Sequence, residues 1–563
     1  QAAQLAGFVR AQQAAGRADS AWVAGVAAGL AGRAGLEQRA VVTGTDIAAL
    51  LSGLDAVAAG ESSEGVVTDA MVPGSDVVFV FPGQGGQWAG MGKESLERDA
   101  VFAAAIARCE RALDPFVDWS LRAVLAGEER DWLDRVDVVQ PALWAVMVSL
   151  AEVWRAAGVV PDVVVGHSQG EIAAAVVAGR LSVEDGARVV ALRSQALREL
   201  AGRGAMASVA LDPQEAEAYL PPSVTVAAVN APGQIVVSGP QDEVVVLCAQ
   251  LDELGIRARR IEVDYASHHA QVEAVEQRLR GELAGIVDLP GAGPEFVSTV
   301  TGEPVPAGEL DADYWYRNLR KTVLFADVVR RLQDAGPQAF VEIGPHPVLS
   351  LAMEQMVSGG RVLHTLRRDQ PETAQFLRSL GAAWTAGLPV AWRDLLPAVQ
   401  PVALPTYAFQ RQRYWLDAPP AAAWTGSSET DAWRYRVGWT PLAAQRAGGL
   451  PRKWLLLCHD MAEVVDVRQA LEQAGARVEV QVLPADREVD RDRERDLDRD
   501  RVTKLLAGAE HIAYLATGSD RSHSAVLNDL VTVVQAVVER EGARLWVVTR
   551  GAVSAPGAGS VVD

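Results

Sequence analysis

Apolar positions along the chain follow two rhythms. DVVFVF (76–81), PDVVVG (161–166) and AFVEIG (339–344) are short continuous apolar runs, the pattern of strands buried on both faces. Between them, apolar residues recur at helical spacing in PALWAVMVSLAEVWRAAG (141–158), which closes on a glycine stop, and in the stretch after Gly166. This alternation predicts an α/β domain with a parallel sheet. From about 204 to 262 the segments shorten. AMASVAL, SVTVAAVN, QIVVSG and RARRIEV read as four strands, with helical stretches after the first and the third. That order predicts a small ferredoxin-like unit inserted in the larger domain. Residues 1–70 read as two helical stretches around a short strand, VVTG (41–44), with GESSEG (60–65) as a loop. Residues 371–425 carry Pro and aromatic residues with little periodicity, as expected of a wrapping linker followed by a flexible joint. A second α/β unit begins near Trp433, with KWLLLC, RVEVQVL, HIAYLAT and ARLWVVT as its strands. The near-balanced charge run at 486–501 reads as a solvated loop or exposed helix.

Composition narrows the function classes. The chain has 563 residues, and 49% are hydrophobic, which excludes a mainly disordered protein and points to several compact units. Its net charge of −20 makes it a poor binder of nucleic acid or anionic membrane, though a local basic pocket for an anionic substrate is compatible. Three distant cysteines, Cys109, Cys248 and Cys458, form no disulfide framework and fit a reducing cytoplasm. We see no run of about 18 apolar residues, so no membrane span is expected. The first residues hold neither a Met nor an apolar signal core, so the chain reads as a piece excised from a longer protein.

Gly166-His167-Ser168-Gln169-Gly170 follows a predicted strand and opens a predicted helix. That is the G-x-S-x-G elbow in its diagnostic context: small flanking residues permit a sharp turn that presents the Ser hydroxyl, and free helix N–H groups face the site. A serine nucleophile needs a base. His167 is next in sequence, but an elbow points neighbours apart. His268 and His269 sit where the small unit returns to the large one, a natural rim of a cleft, and sequence alone separates the two poorly. Adjacent histidines do not match helix-based zinc motifs. Arg193 lies on an apolar helix, and a buried guanidinium needs a carboxylate from protein or substrate. By composition alone an ordinary structural role is favoured for it. The loop Pro82–Gln87, at the end of the first strand, is rich in glycines that let backbone N–H groups approach a developing oxyanion. It matches neither a dinucleotide fingerprint nor a P-loop.

Taken together, FVFPGQGGQWAGMG, RVDVVQPALW, GHSQGEIAAAVVAG, ALRSQAL, VDYASHH and FVEIGPHPVL, in this order and spacing, resemble the acyltransferase domain of modular type I polyketide synthases. The resemblance implies a hydrolase-like parallel-sheet core at 71–370, with the ferredoxin-like insert at about 204–268. It implies a partial ketosynthase-to-acyltransferase linker at 1–70 and a post-acyltransferase linker at 371–431. Residues 432–563 would be a truncated Rossmann-like domain, the structural half of a ketoreductase without its catalytic half. The implied roles are Ser168 as acyl-accepting nucleophile, His268 as base oriented by a backbone carbonyl near 318–324, and Arg193 as partner of the substrate carboxylate. Backbone N–H groups of Gln84 and Gln169 would form the oxyanion hole. Gln140, Gln169, Tyr265 and Ser267 look like the methylmalonyl-selecting versions of their motifs. The implied substrate is methylmalonyl-CoA, and the implied acceptor is the phosphopantetheine of an acyl carrier protein. The parent's ketosynthase and remaining ketoreductase would be neighbours. No metal, no covalently bound cofactor, no nucleic acid and no membrane partner is implied.

Two rival readings fit these residues less well. An α/β-hydrolase esterase shares G-x-S-x-G, but its order is Ser, acid, then a His near the domain end, and it gives no role to Arg193 or to Pro82–Gln87. A docking fragment without catalysis would have no use for Ser168, His268 and Arg193 together. Malonyl or ethylmalonyl units stay open as alternative extenders.

Overall fold

The computed structural model describes residues 1–409 (except 130 and 292), 453–483, 499–506, 509, 511–516, 523–538 and 542–549. It divides into two units, Gln1–Gln412 and Arg413–Asp563.

The Ala-rich beginning of the first unit forms helices Ala2–Ala14, Ser20–Ala31 and Ile47–Ala59 around an antiparallel pair, β1 (Gln38–Val42) and β2 (Val66–Ala70). Asp19 and Asp46 start the second and third helices by accepting from the Trp22 and Ala49 N–H groups. The sequence reading anticipated two helices and one strand here. The stretch before the strand is two helices, divided between Ala14 and Ser20, and β2 escaped because Val66-Val67 is a short apolar signal among small residues.

Five parallel strands form the main sheet: β3 (Asp76–Phe81), β4 (Val163–Gly166), β9 (Glu295–Val297), β10 (Gln338–Glu342) and β11 (Arg361–His364), in the order β11-β10-β3-β4-β9. β3 is buried on both faces, as its unbroken apolar run predicted. Val77, Phe79 and Phe81 enter one core with the long helix Val136–Ala156. Val78 and Val80 enter another with Phe325, Val328 and Phe340. β9 and β11, three and four residues long, are too short to register as strands from sequence.

The helix Val136–Ala156 starts a turn earlier than its spacing suggested, so Gln140 lies on it. It is the one helix among the described residues apolar and long enough to cross a membrane, although Asp137, Gln140, Glu152 and Arg155 interrupt its apolar run. Its apolar window is 94% buried inside the protein, so its hydropathy is that of a core helix.

Between β4 and β9, strands β5 (Gly204–Val209), β6 (Thr225–Ala231), β7 (Gln234–Pro240) and β8 (Ala258–Arg260) make an antiparallel sheet in the order β6-β7-β5-β8. One helical turn, Pro213–Ala216, follows β5, and helix Gln241–Glu253 follows β7. The edge strand β6 exchanges backbone hydrogen bonds with Val323 of the main domain. Residues 372–386, expected to be part of an irregular linker, form a helix, Glu372–Ala386, with Leu380, Ala383 and Ala386 buried. The aromatic residues of that stretch masked a helical repeat.

In the second unit, β12 (Lys453–Cys458), β13 (Arg477–Val482), β14 (His511–Ala516) and β15 (Arg544–Thr549) form a parallel sheet in the order β13-β12-β14-β15. Leu455 and Leu457 face one core, Leu456 and Cys458 the other. The motif WRYRVGWTPL, residues 410–431 of the expected linker and residues 486–498 of the charge run lie outside the described residues.

Candidate active site

The carboxyl edge of the main sheet gathers the loops after β3, β4 and β9. In open α/β sheets this edge is where ligands bind. The elbow after β4 is as sharp as its glycines allow. A Cβ on Gly170 would sit 2.0 Å from the Phe81 carbonyl oxygen, and one on Gly166 would sit 2.1 Å from the Glu171 nitrogen. Both neighbours are backbone and cannot yield. We expect Gly170→Ala to lower stability by about 1–3 kcal/mol, read by thermal unfolding. It should also slow acylation of the chain by ~10²-fold, because an ångström of displacement is costly in a positioned site.

Ser168 is held at φ 55° and His268 at φ 56°. Left-handed backbone at non-glycine residues is strained and marks over-determined functional positions. The Ser168 Oγ lies 2.8 Å from His268 Nε2. His268 Nδ1 lies 2.7 Å from the Lys321 carbonyl oxygen, which can only accept. Nδ1 therefore carries the proton, and Nε2 is left to accept from Ser168. The His268 N–H donates to the Leu319 carbonyl at 2.9 Å. Both carbonyls fall in the 318–324 segment expected to orient the base. β6 fixes that segment through Val323, and β8 leads the chain toward His268.

The structure separates the two histidines that sequence could not. His269 Nε2 donates to the Ser223 carbonyl at 2.8 Å, and its Nδ1 accepts from the Gln271 N–H at the start of a short helical segment. His269 is thus a structural tie. His167 turns away from Ser168, with its Nε2 2.8 Å from Asn230 Oδ1.

Arg193 is buried, 1% exposed, and its Nη2 donates to Ser168 Oγ at 3.2 Å. Its Nε and Nη1 have no protein partner. Burial lowers its pKa to about 10, so it stays charged at neutral pH. Composition had favoured an ordinary role for this arginine. A buried cation with two idle donors beside a serine has the chemistry to hold an anion.

Burial, then the nearby Arg193 charge, lowers the His268 pKa to about 3. The imidazole is neutral across the physiological range. We expect kcat/KM for acylation of the free enzyme to vary less than about twofold between pH 5.5 and 8.5. An inflection near 6.5 would show an ordinary histidine. Stability has the opposite sensitivity. Below about pH 6.5 the unfolded chain takes up a proton that folded His268 refuses until about 3, so stability falls as pH drops through that window.

A second group lines the site. Gln84 Oε1 accepts from Gln140 Nε2 at 3.0 Å and from the Tyr265 hydroxyl. Burial pushes the Tyr265 phenol up, so it remains a donor. Ser267 is buried next to His268, and both polar atoms of the Gln169 side chain are buried without protein partners. Among the described residues, neither the Gln84 nor the Gln169 backbone N–H is given to a protein acceptor. No three His, Cys, Asp or Glu side chains among the described residues converge to hold a metal ion.

Sequence reasoning missed Glu171, Thr299, Tyr314 and Asn318. They form a buried network directly beneath the elbow, with Asn318 Nδ2 donating to the Ser168 carbonyl at 3.0 Å and to Glu171 Oε2 at 2.8 Å. The only signal was an acidic residue opening an otherwise apolar helix, EIAAAVV.

A serine, an imidazole of fixed tautomer and a buried guanidinium on the carboxyl edge of a parallel sheet define an enzyme of the acyl-transfer class. Comparison with known proteins agrees. The family described as "Acyl transferase domain" matches residues 78–390. The chain belongs to that family, and it is an acyltransferase of the kind built into modular type I polyketide synthases. It is 43% identical over 557 residues to the polyketide synthase GfsA of Streptomyces halstedii and 41% identical over 557 residues to the erythronolide synthase EryA2 of Saccharopolyspora erythraea. Those matches cover 93% and 95% of this chain but 7% and 15% of the relatives. The crystal structure of the acyltransferase domain from module 8 of the salinomycin polyketide synthase is 48% identical, with a TM-score of 0.64, over 70% of this chain and 94% of that one.

Proposed function

We propose that this acyltransferase takes a methylmalonyl unit from coenzyme A onto Ser168 and passes it to the phosphopantetheine thiol of an acyl carrier protein. The observation that carries the reading is Ser168 Oγ between His268 Nε2 at 2.8 Å and Arg193 Nη2 at 3.2 Å. In the first half, His268 Nε2 takes the Ser168 proton as Oγ attacks the thioester carbonyl. The backbone N–H groups of Gln84 and Gln169 meet the oxyanion; one such donor is typically worth ~10²–10³ in rate. The tetrahedral intermediate collapses, the carbon–sulfur bond breaks, and the leaving thiolate takes the proton from His268. In the second half, the carrier thiol gives its proton to His268 and attacks the acyl-serine ester. Ser168 leaves and recovers its proton. Arg193 pairs with the free carboxylate through donors the protein leaves idle.

The methylmalonyl choice rests on Ser267 and Tyr265. A small buried Ser267 beside the base leaves room for a branch at the α-carbon, and Gln84 and Gln140 hold Tyr265 against that space. A single methyl in an apolar pocket is worth about 1–3 kcal/mol, so selection by size is leaky. We also read the β5–β8 sheet as a ferredoxin-like insert. The β12–β15 sheet reads as the structural half of a ketoreductase, and residues 1–70 as part of the linker from a ketosynthase in the parent synthase.

The test is an equimolar mixture of malonyl-, methylmalonyl- and ethylmalonyl-CoA, followed by intact mass. A dominant methylmalonyl adduct is expected. Mixed adducts would retire the selectivity, and steady release of coenzyme A without an adduct would favour a hydrolase.

A further inference from the structure

The buried network beneath the elbow contains one more short oxygen–oxygen contact than its hydroxyl protons can serve if Glu171 is ionised. Thr299 Oγ1 lies 2.8 Å from the Gly166 carbonyl oxygen and 2.8 Å from Glu171 Oε1. Each of these oxygen pairs needs a proton between its members, and the Gly166 carbonyl has none to give. The single Thr299 hydroxyl proton serves that carbonyl, so the proton between Thr299 and Glu171 must come from Glu171. The other contacts are complete without it. Tyr314 donates to Glu171 Oε2 at 2.8 Å, and the Ser298 hydroxyl, 2.8 Å from the Tyr314 oxygen, supplies the next proton. Asn318 uses its two amide hydrogens on Glu171 Oε2 and the Ser168 carbonyl. The Thr299 N–H also donates to Glu171 Oε1.

We propose that Glu171 is carried as a neutral carboxylic acid and is the positioning residue that locks the nucleophile to the base. The lock has two arms. Through Thr299 it holds Gly166, and through Asn318 it holds the strained Ser168. Asn318 also begins the segment whose next carbonyls, Leu319 and Lys321, hold the backbone and Nδ1 of the equally strained His268. One buried side chain thus sets the relative position of Oγ and Nε2.

Neutrality has a second consequence. The charged or titratable groups that act on Glu171 are Tyr314, which hydrogen-bonds to it, and Arg193 from helix Val183–Arg198. A carboxylate at Glu171 would pre-empt the Arg193 charge. A neutral acid leaves that charge for the carboxylate of the substrate, so this part rests on the transfer reading above. Burial pushes the Glu171 carboxyl up, in the same direction as the proton count.

The test uses the full chain with Glu171→Gln, Asn318→Ala and the unaltered protein. The infrared difference between unaltered protein and Glu171→Gln at neutral pH should show loss of a protonated carboxyl band. Loss of an ionised carboxylate band would overturn the proposal. Acylation of Ser168 by methylmalonyl-CoA, followed by rapid-quench intact mass, should be within about tenfold of normal in Glu171→Gln. It should be ~10²-fold slower in Asn318→Ala with KM changed less than about threefold, as for a displaced reacting pair. Thermal unfolding checks that both variants fold. A folded Asn318→Ala chain with normal rate would overturn the lock. An unaltered chain that forms no adduct would sink the transfer reading, and the infrared band still decides whether Glu171 holds its proton.

Discussion

Arg193→Ala is expected to erase the preference for carboxylated acyl groups. The unaltered site holds a fully buried cation with two donors that no protein atom uses. A substrate carboxylate that satisfies them makes a buried charge pair, and removing one member of such a pair costs about 3–5 kcal/mol. That is roughly two to three and a half powers of ten in kcat/KM. The loss should be specific: acylation by methylmalonyl-CoA falls by this factor, while acylation by propionyl-CoA, which has no carboxylate, stays level or rises. The measurement is the ratio of the two adducts on Ser168. An unchanged ratio would remove Arg193 from substrate recognition and return it to the structural role that composition favoured. Arg193→Lys should recover only part of the preference, because an ammonium cannot present a planar pair of donors.

His268→Ala is expected to slow acylation of Ser168 by about 10²–10⁴-fold, the usual worth of a positioned general base. Ser168→Ala should form no adduct at all. His269→Ala provides the contrast. Its ring ties Ser223 to the Gln271 N–H, so its loss should appear mainly in thermal unfolding. If His269→Ala matched His268→Ala in rate, the assignment of the base would be wrong. The pair tests a distinction that rests on a few hydrogen bonds between neighbouring side chains.

Much of this site was legible in the sequence because its parts are local. A strand, an elbow and a helix are contiguous, so Gly166–Gly170 announces both its shape and its purpose. The inward turn of Arg193 was not local. An arginine among Val189, Val190 and Leu192 reads the same whether it faces water or a core until the opposite wall is known. Glu171, Thr299 and Asn318 were invisible for the same reason. Their bonds span separations of 128 to 150 residues, and nothing in EIAAAVV names the partners. The main strands β3, β4 and β10 were plain from their apolar runs. β9 and β11 were not, because a strand of three or four residues is defined by the neighbour it pairs with. Helix Glu372–Ala386 was hidden by its setting, where Trp384 and Phe376 looked like linker aromatics.

The helix Val136–Ala156 imposes a condition on how this protein is made. Its Trp154 completes its environment only by donating to Thr365 Oγ1 at 2.9 Å, 211 residues further along. At a synthesis rate of about 5–20 residues per second, roughly 10–40 s pass before that partner emerges. Throughout that interval a growing chain carries a segment whose hydropathy matches a bilayer-spanning helix, with its burial still incomplete at Trp154. Any shortened version that ends before residue 365 leaves the buried Trp154 indole N–H without that acceptor for good, a cost of about 1–3 kcal/mol that no later synthesis repairs.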